Sequence, residues 1–179
     1  MESRNYALHH AFKENKMCVQ LSDDIKNVKL NENFAEKKEV ELDFAIKEIV
    51  ELFSKTKGVY LLGVPPTANH FFAKKMTVPN VFCIGDMLFV KPNDLRFDES
   101  LTLKEDYDYT LQHIAAYGIV IRYQKYIFNF AHYSNTGGAV AYRNDKEEKY
   151  NIRKLKTKWG DKIKMNPKRK NEILLNIKK

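Results

Sequence analysis

Cysteine is scarce in this chain. Only Cys18 and Cys83 occur, both among apolar neighbours, which excludes a disulfide-rich scaffold and points to a reducing, intracellular setting. Neither thiol stands out as reactive. No apolar run reaches the length of a membrane span. Glu2 and Arg4 open a helix-like stretch where a signal peptide would carry its apolar core. The expectation is a cytoplasmic protein with no membrane association. Internal repeats, low-complexity tracts and a recognisable linker are also missing, so 179 residues are read as one domain with a sizeable core.

Acids are the minority charge. There are 23 Asp and Glu against 31 Lys and Arg, a formal net charge of +8 that favours acidic partners such as nucleic acid or nucleotide phosphates. The bases are densest after Arg143, through Arg153-Lys154, Lys156, Lys158, Lys168-Arg169-Lys170 and Lys178-Lys179. A polyanion would lie there.

The pattern of apolar residues predicts alternating helices and strands. Ser3 is placed to cap a helix with Ala7, Leu8, Ala11 and Phe12 on one face, and Met17 to Leu21 reads as a short buried strand. A second amphipathic helix is expected from Glu39 to Phe53, using Val40, Phe44, Ile46, Ile49, Val50 and Phe53. Val59 to Val64 is a strand stopped by Pro65-Pro66, with Thr67 to His70 as a loop on the binding side. Val81 to Ile84 and Met87 to Val90 flank a Gly85-Asp86 turn or bulge. A third helix should run from near Lys104 to Tyr117, with Leu111, Ile114 and Ala115 inward and Gly118 as its stop. Ile119 to Tyr123 and Tyr126 to His132 read as paired strands around a tight Gln124-Lys125 turn, followed by a loop at Asn135-Thr136-Gly137-Gly138. A fourth helix is expected from Asp145 to Trp159, ended by Gly160, and a last strand from Ile173 to Ile177.

Against this background two acidic clusters stand out. Ser22-Asp23-Asp24 follows a strand directly, and open α/β sheets hold ligands at the carboxyl ends of their strands. Asp23 and Asp24 offer oxygen ligands to a hard divalent cation, Mn²⁺ or Mg²⁺, which can bridge nucleotide phosphates and neutralise a departing diphosphate. Two adjacent acids are more often the mark of a solvated turn or cap. The second cluster, Glu105-Asp106-Tyr107-Asp108, opens a helix. There the helix dipole stabilises carboxylates, and a carboxylate beside a cleft can also serve as general base. His132 ends a strand rich in aromatics, where a hydrogen-bonded packing role competes with completing a coordination sphere. The Gly137-Gly138 loop beside it could bring backbone amides to a phosphate.

Taken together, these residues resemble the later part of a GT-A fold glycosyltransferase, the class that holds a metal with an Asp-x-Asp motif. Arg4-Asn5-Tyr6-Ala7 resembles the helix start before that motif, and Leu21-Ser22-Asp23-Asp24-Ile25 its acidic strand end, with Ser22 in place of the first acid. Phe97-Asp98-Glu99 with Glu105-Asp106 resembles the acceptor-side segment. More specifically, Leu103 to Asp108, His132-Tyr133-Ser134-Asn135 and Gly137-Gly138-Ala139 are similar to the TET-associated glycosyltransferases encoded by phages. The resemblance implies a Rossmann-like mixed sheet flanked by helices, truncated at its front. It implies Arg4, Asn5, Gly137 and Gly138 at the donor, Asp23, Asp24 and His132 on the metal, and Asp106 or Glu105 as base. The implied partners are a nucleotide sugar and, as acceptor, hydroxymethylated pyrimidine in DNA.

A complete domain of that class opens with strands that bind the nucleotide base, whereas here Met1 stands shortly before the acidic cluster at Ser22. The resemblance therefore implies a missing N-terminal partner or a homo-oligomer, and an open sheet edge prone to association. Two other readings stand beside it. One is a catalytically inactive nucleic-acid-binding or interaction module on the same fold, and the other is a nuclease-like use of the acids, for which no second set of metal ligands can be named.

Overall fold

A computed structural model describes residues 1–31, 38–131 and 144–177. It is a mixed α/β structure. Four α-helices among the described residues, α1 (Glu2–Lys13), α2 (Leu42–Lys55), α3 (Glu105–Tyr117) and α4 (Asp145–Trp159), pack around the strands.

The main sheet has five strands in the order β1-β6-β4-β7-β5, formed by β1 (Cys18–Leu21), β4 (Leu61–Gly63), β5 (Thr77–Pro79), β6 (Met87–Val90) and β7 (Ile121–Tyr123). It is mixed, because β4 and β7 run parallel while β6 is antiparallel to both β1 and β4. A second antiparallel sheet joins β2 (Ile25–Leu30), β3 (Glu39–Val40) and β8 (Tyr126–Phe130), and β9 (Ile163–Met165) pairs with β10 (Ile173–Leu175).

Side chains alternate across a strand, so each strand of the main sheet serves two cores. Leu62, Met87 and Phe89 face α2 and the second sheet, where they meet Val28, Ile49, Phe53 and Phe128. Leu61, Leu88 and Val90 face the other way, onto Leu8 of α1 and Tyr109 of α3. A third cluster, with Leu101, Leu111, Ile152, Leu155 and Ile173, seats α4 and the β9–β10 pair against α3. Gly63 allows a close approach here, since a Cβ at that position would lie 2.8 Å from Cys83 Cβ. That contact presses the 81–84 segment onto the sheet and brings Gly85 to the sheet's edge.

Several elements differ from the sequence expectation. The strands around Gln124-Lys125 are not a hairpin: β7 pairs with β4 and β5, while β8 pairs with β2. Gln124 explains the switch. It is 2% exposed, its backbone N–H donates to Met76 O at 2.7 Å and its side chain to Lys75 O at 2.7 Å. The next carbonyl, Lys125 O, accepts instead from Asn31 N at 2.7 Å, so the chain passes from one sheet to the other.

The helix expected from Glu39 begins at Leu42, because Glu39-Val40 is taken by β3. Its inner face is Ala45-Ile49-Phe53, which leaves Phe44 56% exposed. Val81 to Ile84 is not a strand, and Ser3 lies inside α1, which has no side-chain cap. In α3, Ala115 is exposed and the buried places go to Asp108 and His113. Gly118 does end α3, in the left-handed region at φ 76°.

Candidate functional site

The carboxyl end of β1 and the start of β6 meet at one edge of the main sheet, where Leu21 lies opposite Met87. Gly85-Asp86 precedes β6 and links the two acidic clusters. Ser22 N donates to Asp86 O at 2.7 Å, and Gly85 N donates to Asp106 Oδ2 at 2.9 Å. The sequence places the two clusters far apart in the chain. The fold joins them through this dipeptide.

Asp106 is the most perturbed carboxyl of the site. Burial, with a contribution from the neighbouring Glu105 charge, pushes its pKa up to about 7, against the opposing effects of the Gly85 N–H and Arg4. Asp86 adds to the upward shift. A carboxylate with that value exchanges its proton near neutrality, the property a general base needs. Arg4 reaches in from α1, donating to Gly85 O at 3.0 Å and lying 3.9 Å from Glu105 Oε1. Gln20 of β1 accepts from Arg4 Nη1 at 3.4 Å and donates to Arg4 O at 3.0 Å.

Asn5 plays a backbone-like part. Its amide exchanges hydrogen bonds with Phe97, Nδ2 to Phe97 O at 3.0 Å and Phe97 N to Oδ1 at 2.9 Å, and also donates to Glu99 Oε1 at 2.9 Å. In this structure the polar groups of Arg4 and Asn5 thus hold the Phe97–Glu99 segment and the Gly85 turn in place.

At the first cluster, Ser22 Oγ donates to Asp24 Oδ1 at 2.6 Å while Asp23 is exposed. Asp24 O accepts from Ala131 N at 2.8 Å, the residue before His132. His132, Gly137 and Gly138 themselves lie outside the described residues. Among the described residues no three His, Cys, Asp or Glu side chains converge so as to hold a metal ion.

Asp108, the third acid of the second cluster, has a different environment. It is fully buried and accepts from Trp159 Nε1 at 2.7 Å, from Gln112 Nε2 at 2.6 Å and from Lys158 Nζ at 2.8 and 3.0 Å. These bonds tie α4 to α3. Lys104, just before α3, is left-handed at φ 61° and pairs with Glu148 of α4 at 2.6 Å. Both cysteines are buried, and burial pushes the Cys83 thiol up to about 12, in keeping with an unreactive thiol.

Gln20, Gly85 and Asp86 were not singled out as site residues by sequence reasoning. A polar residue inside the apolar run Met17 to Leu21 was the available signal for Gln20. For Gly85-Asp86, the local pattern shows a turn and cannot show which carboxylate it meets. No family model, curated protein or solved structure matches this chain.

Proposed function

We propose that the edge around Gly85 is the active site of a glycosyltransferase-like domain, which moves a sugar from a nucleotide-sugar donor to a hydroxyl acceptor. The observation that carries the reading is Asp106, a partly buried carboxyl raised to about 7 and held by the Gly85 N–H at the carboxyl end of β1. In the transfer, Asp106 takes the acceptor hydroxyl proton as the oxygen attacks the anomeric carbon. The bond to the nucleoside diphosphate breaks, and its electron pair leaves with the diphosphate. Arg4 and Glu105 position Asp106 and tune its charge. The resemblance suggests hydroxymethylated pyrimidine in DNA as the acceptor. Mn²⁺ or Mg²⁺ on Asp23, Asp24 and His132 belongs to the same proposal.

The test is release of nucleoside diphosphate from a panel of nucleotide sugars over hydroxymethylated DNA, in buffer containing Mn²⁺. Asp106→Asn should lower turnover at least roughly 100-fold with folding intact. Full activity in that variant would sink the assignment.

A second reading, an inactive nucleic-acid-binding module, draws on α4. Lys149, Arg153 and Lys156 share one exposed face of that helix, beside hollows of about 340 and 500 Å³. Salt-sensitive DNA binding that ignores both Mn²⁺ and Asp24→Ala would favour this module over the enzyme.

A further inference from the structure

The segment between β4 and β5 carries an unusual surface. Within six residues, Phe71, Phe72 and Met76 are 61%, 66% and 60% exposed. Such a segment would ordinarily fold its apolar side chains inward or be pulled inward by its neighbours. Here the backbone is anchored so that they stay out. Ala73 is buried and its carbonyl accepts from Asn31 Nδ2 at 2.9 Å, while buried Gln124 takes Lys75 O and Met76 O, each at 2.7 Å. Asn69 accepts from Phe71 N at 3.0 Å and starts the short turn His70–Phe72 that presents the rings. Phe71 and Phe72 meet edge to face with centroids 5.7 Å apart, and Lys74 Nζ lies 4.2 Å from the Phe71 centroid.

Charge indicates what would cover this surface. Lys74 and Lys75 follow the rings in the chain, with Lys74 over Phe71, and the stretch between Glu51 and Asp86 contains no Asp or Glu. Preordered aromatic faces beside cations are how proteins hold single-stranded nucleic acid: bases stack on the rings and phosphates meet the lysines. A lipid surface suits this patch less well, because three side chains bury little acyl contact and stable anchoring takes a larger apolar face or a second signal.

Position adds a further reason. β4 ends at Gly63 opposite Leu88, and β5 begins at Thr77 opposite Tyr123, the last residue of β7. Both ends of the segment therefore leave from the same end of the sheet's strands as Ser22 and Gly85. Neighbouring strands are about 4.8 Å apart, so β5, three strands from β6, lies roughly 14 Å along that end. This is the span of a few nucleotides of an unpaired strand.

We propose that Phe71, Phe72 and Lys74 form a stacking platform for unpaired bases, which holds a nucleic-acid strand a few nucleotides from the Asp106 site. The strand's role as acceptor rests on the sugar-transfer reading, whereas its binding does not. The probe is a fluorescein-labelled single-stranded deoxythymidine 12-mer, compared by anisotropy with a duplex of the same length. The single strand should bind more tightly. Phe71→Ala/Phe72→Ala should weaken single-strand binding roughly tenfold or more with no change in melting temperature. Lys74→Ala/Lys75→Ala should flatten the slope of log K against log salt by about 1.4, at about 0.7 per phosphate on a single strand.

Wild-type affinity in the phenylalanine variant overturns the platform. So does an unchanged strand affinity accompanied by loss of binding to phosphatidylserine vesicles, or by conversion of a wild-type dimer to a monomer in sedimentation. Asp106→Asn should bind the strand as wild type does. Strand binding without transfer by the wild-type protein would end the enzyme reading and leave the platform standing.

Discussion

Asp106 and His113, both on α3, make opposite demands on pH. Asp106 is raised from 3.8 to about 7, so between these values the folded protein holds a proton that the unfolded chain has released, and stability falls as pH rises. His113 is lowered from 6.5 to about 4 by burial, while its Nδ1 lies 2.9 Å from Tyr109 O. From pH 6.5 down to about 4 the unfolded chain gains the extra proton, so His113 makes stability rise with pH over that window. In the wild type the two slopes oppose each other from about pH 4 to 6.5, and only the Asp106 slope continues to about 7. Asp106→Asn should leave the His113 slope alone. The stability of that variant in urea titration should climb from pH 4 to 6.5 and exceed that of the wild type near pH 8, where the raised Asp106 no longer costs the folded state. A variant as flat as the wild type would show that Asp106 titrates normally. The same proton makes the proposed transfer rise with pH through about 7.

At the scale of elements, α4 is attached by an unusual combination. Its apolar side is narrow, with Ile152 and Leu155 buried, and the rest of the helix is strongly charged. Asp108 supplies the complement, accepting from both Lys158 and Trp159 at the helix's C-terminal end, while Asn144 caps the start through Glu147 N. Removing Asp108 takes a partner from Trp159 Nε1, Gln112 Nε2 and Lys158 Nζ, of which Lys158 keeps Asp98 at 3.4 Å. Asp108→Ala should lower stability by roughly 3 kcal/mol in urea titration, well above the effect of an exposed ion pair such as Lys47–Asp43. A loss below 1 kcal/mol would mean that α4 is held by its apolar contacts alone. Asp108 is thus a fastener between helices, although in the chain it stands two residues from Asp106.

For the molecule as a whole, the charge is unevenly placed. The exposed face of α4 with Lys149, Arg153 and Lys156 continues into Lys162, Lys164 and Lys168, all exposed. A polyanion held there must release counterions, so affinity for duplex DNA should fall steeply with salt. Changing Lys149, Arg153 and Lys156 together to Glu should flatten that slope by roughly 2.7, at about 0.9 per phosphate on duplex DNA. An unchanged slope would move the contact elsewhere. No helix of the described residues is long and apolar enough to cross a membrane. β1 and β5 are the two edges of the main sheet, and β1 carries the site at its end.

Much of the architecture follows from local pattern. The third helix with its glycine stop, the fourth helix from Asp145 to Trp159, and the strands at Cys18–Leu21 and Met87–Val90 are written in apolar spacing and in residues such as Gly118 that tolerate a left-handed turn. Those features depend on neighbours a few residues away. Pairing does not. A two-residue Gln124-Lys125 step between apolar strands looks like a hairpin locally, and only the partners of Gln124, at Lys75 and Met76, send its two flanks to different sheets. The site has the same character. Acids at Asp23-Asp24 and Glu105-Asp106-Tyr107-Asp108 are visible in the chain, but which carboxylate is buried against a tryptophan N–H and a lysine, and which meets a glycine N–H, are decided by contacts between residues remote in sequence. Desolvation and charge proximity act through space, so the titration of Asp106 and the structural role of Asp108 belong to the tertiary structure alone.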